Sequence, residues 1–266
     1  LVELCGRIPP EQKLAEGGKG VLKRGSRGIV PDEVIDRFCL IGPVEKQVER
    51  LKELMEQCPI YVLKAGDQLS PVFESPLSLF DPESLGPMLE EKYGIPRRRL
   101  SGLMSPWCYK RLEAFGGDIS RFRVARIQPS RLRQVAIAKT EPGDENNQDI
   151  SSLVGKVDIR KLETFAQNDP DAYSYSGGLN RANQGILEFV EMFKAPIKML
   201  HPLLTATQER NFKGTEGFGA IPFEGMILAH SNESEWQQFR NNKTNEAFLD
   251  RICVVTVPYC LRATDE

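Results

Sequence analysis

Histidine is scarce in this 266-residue chain, which carries only two, His201 and His230. The six cysteines, Cys5, Cys39, Cys58, Cys108, Cys253 and Cys260, form no C-x-x-C pair and have no histidine at metal-ligand spacing. Those absences exclude a zinc site of ordinary spacing and a Cys/His nucleophilic pair. Scattered thiols of this kind fit a reducing, cytoplasmic compartment. No run of about 18 apolar residues occurs, so no membrane-spanning helix is expected. Leu1-Val2-Glu3-Leu4-Cys5 carries no signal-peptide pattern. A basic excess is missing too: the net charge is -2 and the pI about 5.9, so nucleic acid is not an expected partner. Arg97-Arg98-Arg99 and Arg121, Arg123 and Arg126 read as solvated or phosphate-facing surface.

What is present is an ordinary globular composition, 40% apolar and 27% charged. Residues 1–37 are rich in Gly, Lys and Arg and read as a poorly ordered lead-in. Within them Gly17-Gly18-Lys19-Gly20 lacks the spacing, the following Ser/Thr and the preceding strand of a phosphate loop. Phe38 to Ile41 reads as a strand, Gly42-Pro43-Val44 as a turn, and Glu45 to Gln57 as a helix with Val48, Leu51, Leu54 and Met55 on one face. With a strand at Ile60 to Leu63, these give a βαβ plan. Residues 66–100 read as a turn-rich insertion with one short helix near Pro87 to Tyr93. Ser105-Pro106 opens a helix reaching Phe115. Phe122 to Ile127 alternates as a half-exposed strand does, and Val135 to Ala138 is a further apolar segment. Asp144 and Asn146 have calcium-loop spacing, but the required Gly is missing and Gly155 stands where Glu should, so a polar loop is the reading. Asp158 to Ala166 is expected to be helical.

The chain is organised around residues 178–251. Gly185-Ile186-Leu187-Glu188-Phe189-Val190-Glu191 reads as a buried strand of a parallel sheet whose final acid sits at the carboxyl edge, where open α/β folds place ligands. A helix near Pro196 follows, then a Gly-rich hairpin. Its tip, Lys213 to Gly219, has the composition of a substrate loop or of any long hairpin. Met226-Ile227-Leu228-Ala229 leads to Ser231-Asn232, and Leu249-Asp250-Arg251 closes the series. Acid-tipped strand, helix, strand tipped by a polar residue, then arginine is the order of an AAA-type ATPase core.

Longer strings carry a more specific likeness. Lys139-Thr140-Glu141-Pro142-Gly143-Asp144-Glu145-Asn146-Asn147-Gln148-Asp149-Ile150, Phe189-Val190-Glu191-Met192-Phe193-Lys194-Ala195-Pro196 and Ala229-His230-Ser231-Asn232-Glu233-Ser234-Glu235-Trp236 resemble the PrkA family. So do Gly155 to Leu162, Asp169-Pro170-Asp171-Ala172-Tyr173 and Pro258-Tyr259-Cys260-Leu261-Arg262. The resemblance implies a P-loop NTPase, AAA-type α/β core over residues 38–266, with a mostly parallel central sheet flanked by helices. The lid and C-terminal kinase-like part of the family are not represented. It further implies a serine protein kinase or ATPase of bacterial type, using ATP and Mg²⁺ and acting on a protein substrate. Neither H-R-D nor D-F-G occurs, so the chemistry is not that of an ordinary protein kinase.

By resemblance, the cofactor-binding residues are Gly42, Pro43 and Val44, the start of the family's G-P-V-G-G-G-K-S loop. Here Val44 runs straight into Glu45, and the Gly run, Lys and Ser are missing. The residues were either lost from the gene or omitted from the sequence. Glu191 is the expected acid that polarises the attacking water, or a strand-end carboxylate capping the next helix. Glu188 is expected to share the metal sphere, or to be a paired buried acid. Asn232 is the expected sensor of the lytic water, or a helix cap. Arg251 is the expected finger reaching a neighbour in a homo-oligomer, or the partner of Asp250 or a nearby acid. Two other functions stay open: a non-catalytic assembly piece that kept the fold and lost nucleotide, and an AAA-type protein remodeller.

Overall fold

The computed structural model describes residues 58–141, 149–215 and 218–255. The lead-in at 1–37, the strand expected at 38–41, the turn Gly42-Pro43-Val44 and the helix expected at 45–57 lie outside the described residues.

In chain order the strands are β1 (Ile60–Ala65), β2 (Gln68–Leu69), β3 (Arg123–Ile127), β4 (Ile137–Thr140), β5 (Lys156–Val157), β6 (Tyr173–Ser174), β7 (Ile186–Val190), β8 (Asn211–Lys213), β9 (Ala220–Pro222) and β10 (Met226–His230). The longer helices are α1 (Gly86–Tyr93), α2 (Pro106–Ala114), α3 (Ile197–Gln208) and α4 (Glu233–Asn241). Helix α2 begins where Ser105-Pro106 predicts. The Ser105 hydroxyl accepts from the Cys108 amide, and the missing N–H of Pro106 costs nothing in a first turn. The segment expected to be helical at 158–166 is a shorter 3₁₀ turn, Ile159–Glu163, capped by Asp158.

Strands β10, β7 and β4 form a wholly parallel sheet in that order. The chain is thus α/β, as expected. Glycine permits the tightest approach in the sheet. A Cβ on Gly185 would lie 1.8 Å from the Ala136 carbonyl, the group that accepts the Ile186 amide at 2.8 Å. Leu187 and Phe189 point into the core and are fully buried, whereas Ile186 on the alternate face is 41% exposed. Strand β7 is thus central in the parallel sheet with one face fully buried, while Glu188 and Val190 on the other face are half-buried. Helix α3 buries Met199, Leu200, Leu203 and Ala206 along one stripe in the same core cluster as Leu187 and Phe189.

Of the expected βαβ plan only its last strand lies within the described residues. Strand β1 pairs antiparallel with β2 and β3 in a separate three-stranded sheet, not in the parallel one. Two polar residues before β7 stitch this sheet to the rest. Buried Asn183 donates to the carbonyls of Val72 (2.9 Å) and Pro222 (3.1 Å) and accepts from the Glu224 amide (2.8 Å). Gln184 donates to the carbonyls of Tyr61 (2.8 Å) and Phe73 (2.6 Å). No helix among the described residues is long and apolar enough to cross a membrane.

Candidate functional site

Because β4, β7 and β10 run parallel in register, their last residues, Thr140, Val190 and His230, share one edge of the sheet. The residues that follow β7 and β10 therefore emerge side by side. Glu191 follows β7 in the left-handed region, with φ of +49°. A non-glycine residue there is strained by about 1–3 kcal/mol, and such strain concentrates at functional sites. It occupies the cap position of the 3₁₀ turn Met192–Lys194, yet its side chain caps nothing. The capping alternative for Glu191 is therefore not the observed one. Its carboxylate instead receives Lys194 Nζ at 2.9 Å, the two side chains being 42% and 47% exposed.

Asn232 follows β10 at the cap position of α4, again with no capping hydrogen bond from its side chain. Its amide donates to Glu235 Oε1 at 3.4 Å. Glu235 also accepts from the Ser231 hydroxyl and lies 3.4 Å from Lys194 Nζ. The Ser231 hydroxyl, and after it Lys194, hold the Glu235 carboxyl below the usual range. Lys194 in turn is pushed above the usual lysine range, first by Glu191 and then by Glu235. Tilted ring contacts of Phe193 with Trp236 (5.2 Å between centroids) and with Phe239 (4.5 Å) pack the turn against α4.

Glu191 and Asn232 are thus brought together, joined through Lys194 and Glu235. The sequence reading did not single out that lysine or that acid. Both stand inside the quoted strings, but nothing in their spacing says that they meet across two elements.

Glu188 and Arg251 stand apart from that group. Glu188 projects from the open face of β7, with its carboxylate 3.7 Å from His230 Nε2 on β10. It is neither fully buried nor in contact with Glu191. Among the described residues no three His, Cys, Asp or Glu side chains are gathered to hold a metal ion. Arg251 is exposed and donates to Gln208 Oε1 at 2.5 Å and to the Ala247 carbonyl. Among the described residues it makes no ion pair with Asp250. Gly42, Pro43 and Val44 lie outside the described residues.

A second polar centre is structural. Glu74 is fully buried, accepting from the Ser105 amide at 3.0 Å and from the Ser105 hydroxyl. Burial outweighs those bonds and pushes its pKa up, and burial likewise pushes up the neighbouring Cys108 thiol. Near by, Lys110 and Arg111 of α2 pair with Asp171 (2.7 and 2.6 Å), and Lys110 also pairs with Asp169 (2.6 Å). These pairs fasten the 169–171 loop to the helix.

Over residues 32–266 the chain matches the family described as the PrkA AAA domain. The serine/threonine kinase YeaG of Escherichia coli K12 is 64% identical over 249 residues, which are 92% of this chain and 38% of that protein. The ATP-dependent protease PrkA of Bacillus subtilis strain 168 is 39% identical over 215 residues, 80% of this chain and 33% of that protein. The chain therefore spans well under half the length of either relative. With a family match over most of its length and a parallel sheet carrying an acid and an amide at one edge, this chain belongs to the PrkA AAA domain family.

Proposed function

We propose that the chain is the ATP-binding module of a PrkA-type serine/threonine protein kinase, working with Mg-ATP. One observation carries this reading: Glu191 and Asn232, each following a parallel strand, meet at one carboxyl edge through Lys194 and Glu235. A half-exposed carboxylate able to accept a proton, with a carboxamide at the same sheet edge, fits the base and water-positioning roles that attack on a γ-phosphate uses. Glu191 takes the proton of the attacking water or hydroxyl, and Asn232 orients that nucleophile. Mg²⁺, when bound, neutralises charge on the phosphate oxygens. Glu188 is the carboxylate assigned to its outer sphere, and Gly42, Pro43 and Val44 to the phosphates.

A specific observation favours a second reading. The sequence contains no G-x-x-x-x-G-K-[ST], because Val44 is followed directly by Glu45. That loop's backbone amides cradle phosphate and its lysine neutralises it, so a chain without it tends toward a non-catalytic assembly role. The curated relatives' names also divide, one a kinase and one an ATP-dependent protease. The fate of the γ-phosphate separates the readings. With radiolabelled ATP, label on serine or threonine of a protein supports the kinase, and release as free phosphate an AAA-type remodeller or protease partner. Neither, with no nucleotide bound, supports the assembly piece.

A further inference from the structure

Trp107 and Arg111 stand one turn apart on α2 and line a cleft of about 660 Å³, to which the 3₁₀ turn Ile159–Glu163 and the strand β6 also contribute. That volume is ordinary for a small-molecule site. Trp107, Phe165 and Tyr175 give the cleft flat apolar walls, and Trp107 and Tyr175 are buried. None of Glu191, Lys194, Asn232 and Glu235 lines it, so it is separate from the carboxyl edge of the parallel sheet.

The charged groups lining the cleft are Arg111, Lys161 and Asp171. Arg111 lies over the Trp107 ring, 4.1 Å from its centroid, and its Nη2 meets Asp171 Oδ1 at 2.6 Å. Its Nη1 is buried and has no hydrogen-bond partner among the described residues. A buried donor left unmet is costly, and it points to an acceptor supplied from outside the chain. Lys161 Nζ donates to the Tyr173 carbonyl at 3.2 Å and meets no carboxylate among the described residues. Asp171 does not balance both cations, because it also holds Lys110 at 2.7 Å, as Asp169 does at 2.6 Å. Within this set of contacts three cations therefore stand against two acids. One carboxylate balances that excess, whereas a dianion would reverse it. We propose that the cleft is a binding site for a small aromatic carboxylate, its ring held among Trp107, Phe165 and Tyr175 and its charge met by Lys161 and the unpaired donor of Arg111.

The chain has two tryptophans, Trp107 and Trp236, so ¹⁹F NMR of the full chain labelled with 5-fluorotryptophan gives one signal at the cleft and one away from it. W236F assigns them. Titration with phenylacetate should move the Trp107 signal to saturation, with a dissociation constant of about 1 mM, and leave Trp236 in place. Phenylacetamide has the same shape without the charge and should bind about tenfold more weakly, as loss of a charge-assisted contact predicts. K161M should weaken phenylacetate by about the same factor, and K161R should restore it. Phenylacetamide should bind K161M as it binds the wild type, which shows that the cleft keeps its shape in the variant. No saturation by about 20 mM phenylacetate overturns the proposal. So does equal binding of phenylacetate and phenylacetamide, which would make the cleft an apolar crevice without an anion subsite. Undiminished binding of phenylacetate to K161M overturns it as well.

Discussion

Glu191 has a strained backbone and a side chain that caps no helix end. Neither favours stability, which is what a residue retained for chemistry should show. E191Q keeps the shape and loses the proton acceptor. It should lower γ-phosphate release or transfer by about 10²–10⁴-fold while leaving nucleotide affinity within about twofold, as read by phosphate assay and titration. Glu74 makes the opposite case. Its folded-state pKa lies above that of the unfolded chain, so its protonated form suits the core, flanked by Ser105, Ser78, Cys108 and Glu224. The stability it contributes is fully present below the unfolded value near 4.5 and is lost as pH rises through the raised folded value. E74Q stays neutral throughout and keeps both kinds of contact to Ser105. Its melting temperature relative to wild type should therefore climb from pH 5 to pH 8; a constant difference would show that Glu74 does not titrate there. E74A leaves the Ser105 amide without its acceptor and should cost about 1–3 kcal/mol at pH 5 by urea unfolding.

Strand β7 positions the site, and its first constraint is steric. A methyl group on Gly185 meets backbone, which has no rotamer to move aside. G185A should destabilise by about 3 kcal/mol or more, whereas G219A, where the nearest atom is a Pro106 ring carbon at 3.3 Å, should stay within about 0.5 kcal/mol. Chemical unfolding of both measures the difference. Much of this element was legible beforehand. Leu187 and Phe189 alternate with Glu188, and an acid ends the run, so the strand and its acid-tipped edge follow from the residues themselves. The start of α2 was legible because Ser105 and Pro106 act locally. Pairing was not. Ile60 to Ala65 has the composition of a buried parallel strand, yet it pairs antiparallel with β3, a choice made by distant residues that leave no mark on its own periodicity. Lys194 and Glu235 escaped for the same reason: each looks like solvated charge until α4 folds against the turn after β7. Asn183 and Gln184 read as a polar lead into the strand, whereas their amides tie three segments together.

Taken as one molecule, the chain sets an AAA-type edge with its acid and amide in place against a sequence that lacks the glycine–lysine–serine loop. If Arg251 acts on a neighbouring protomer's nucleotide, the guanidinium must leave Gln208 and Ala247, which hold it at the surface. An exposed contact of that kind is weak enough to exchange. R251A should then lower hydrolysis roughly a hundredfold or more without changing nucleotide affinity, and sedimentation should show assembly of the wild type with Mg-ATP. Unchanged hydrolysis would assign Arg251 to its own chain's surface. All of this depends on whether the carboxyl edge of β7 and β10 still takes a nucleotide. Titration of the chain with a fluorescent ATP analogue and Mg²⁺ decides it. The account predicts saturable binding in the micromolar range, displaced by unlabelled ATP and retained in E191Q; no saturation at millimolar nucleotide would contradict it.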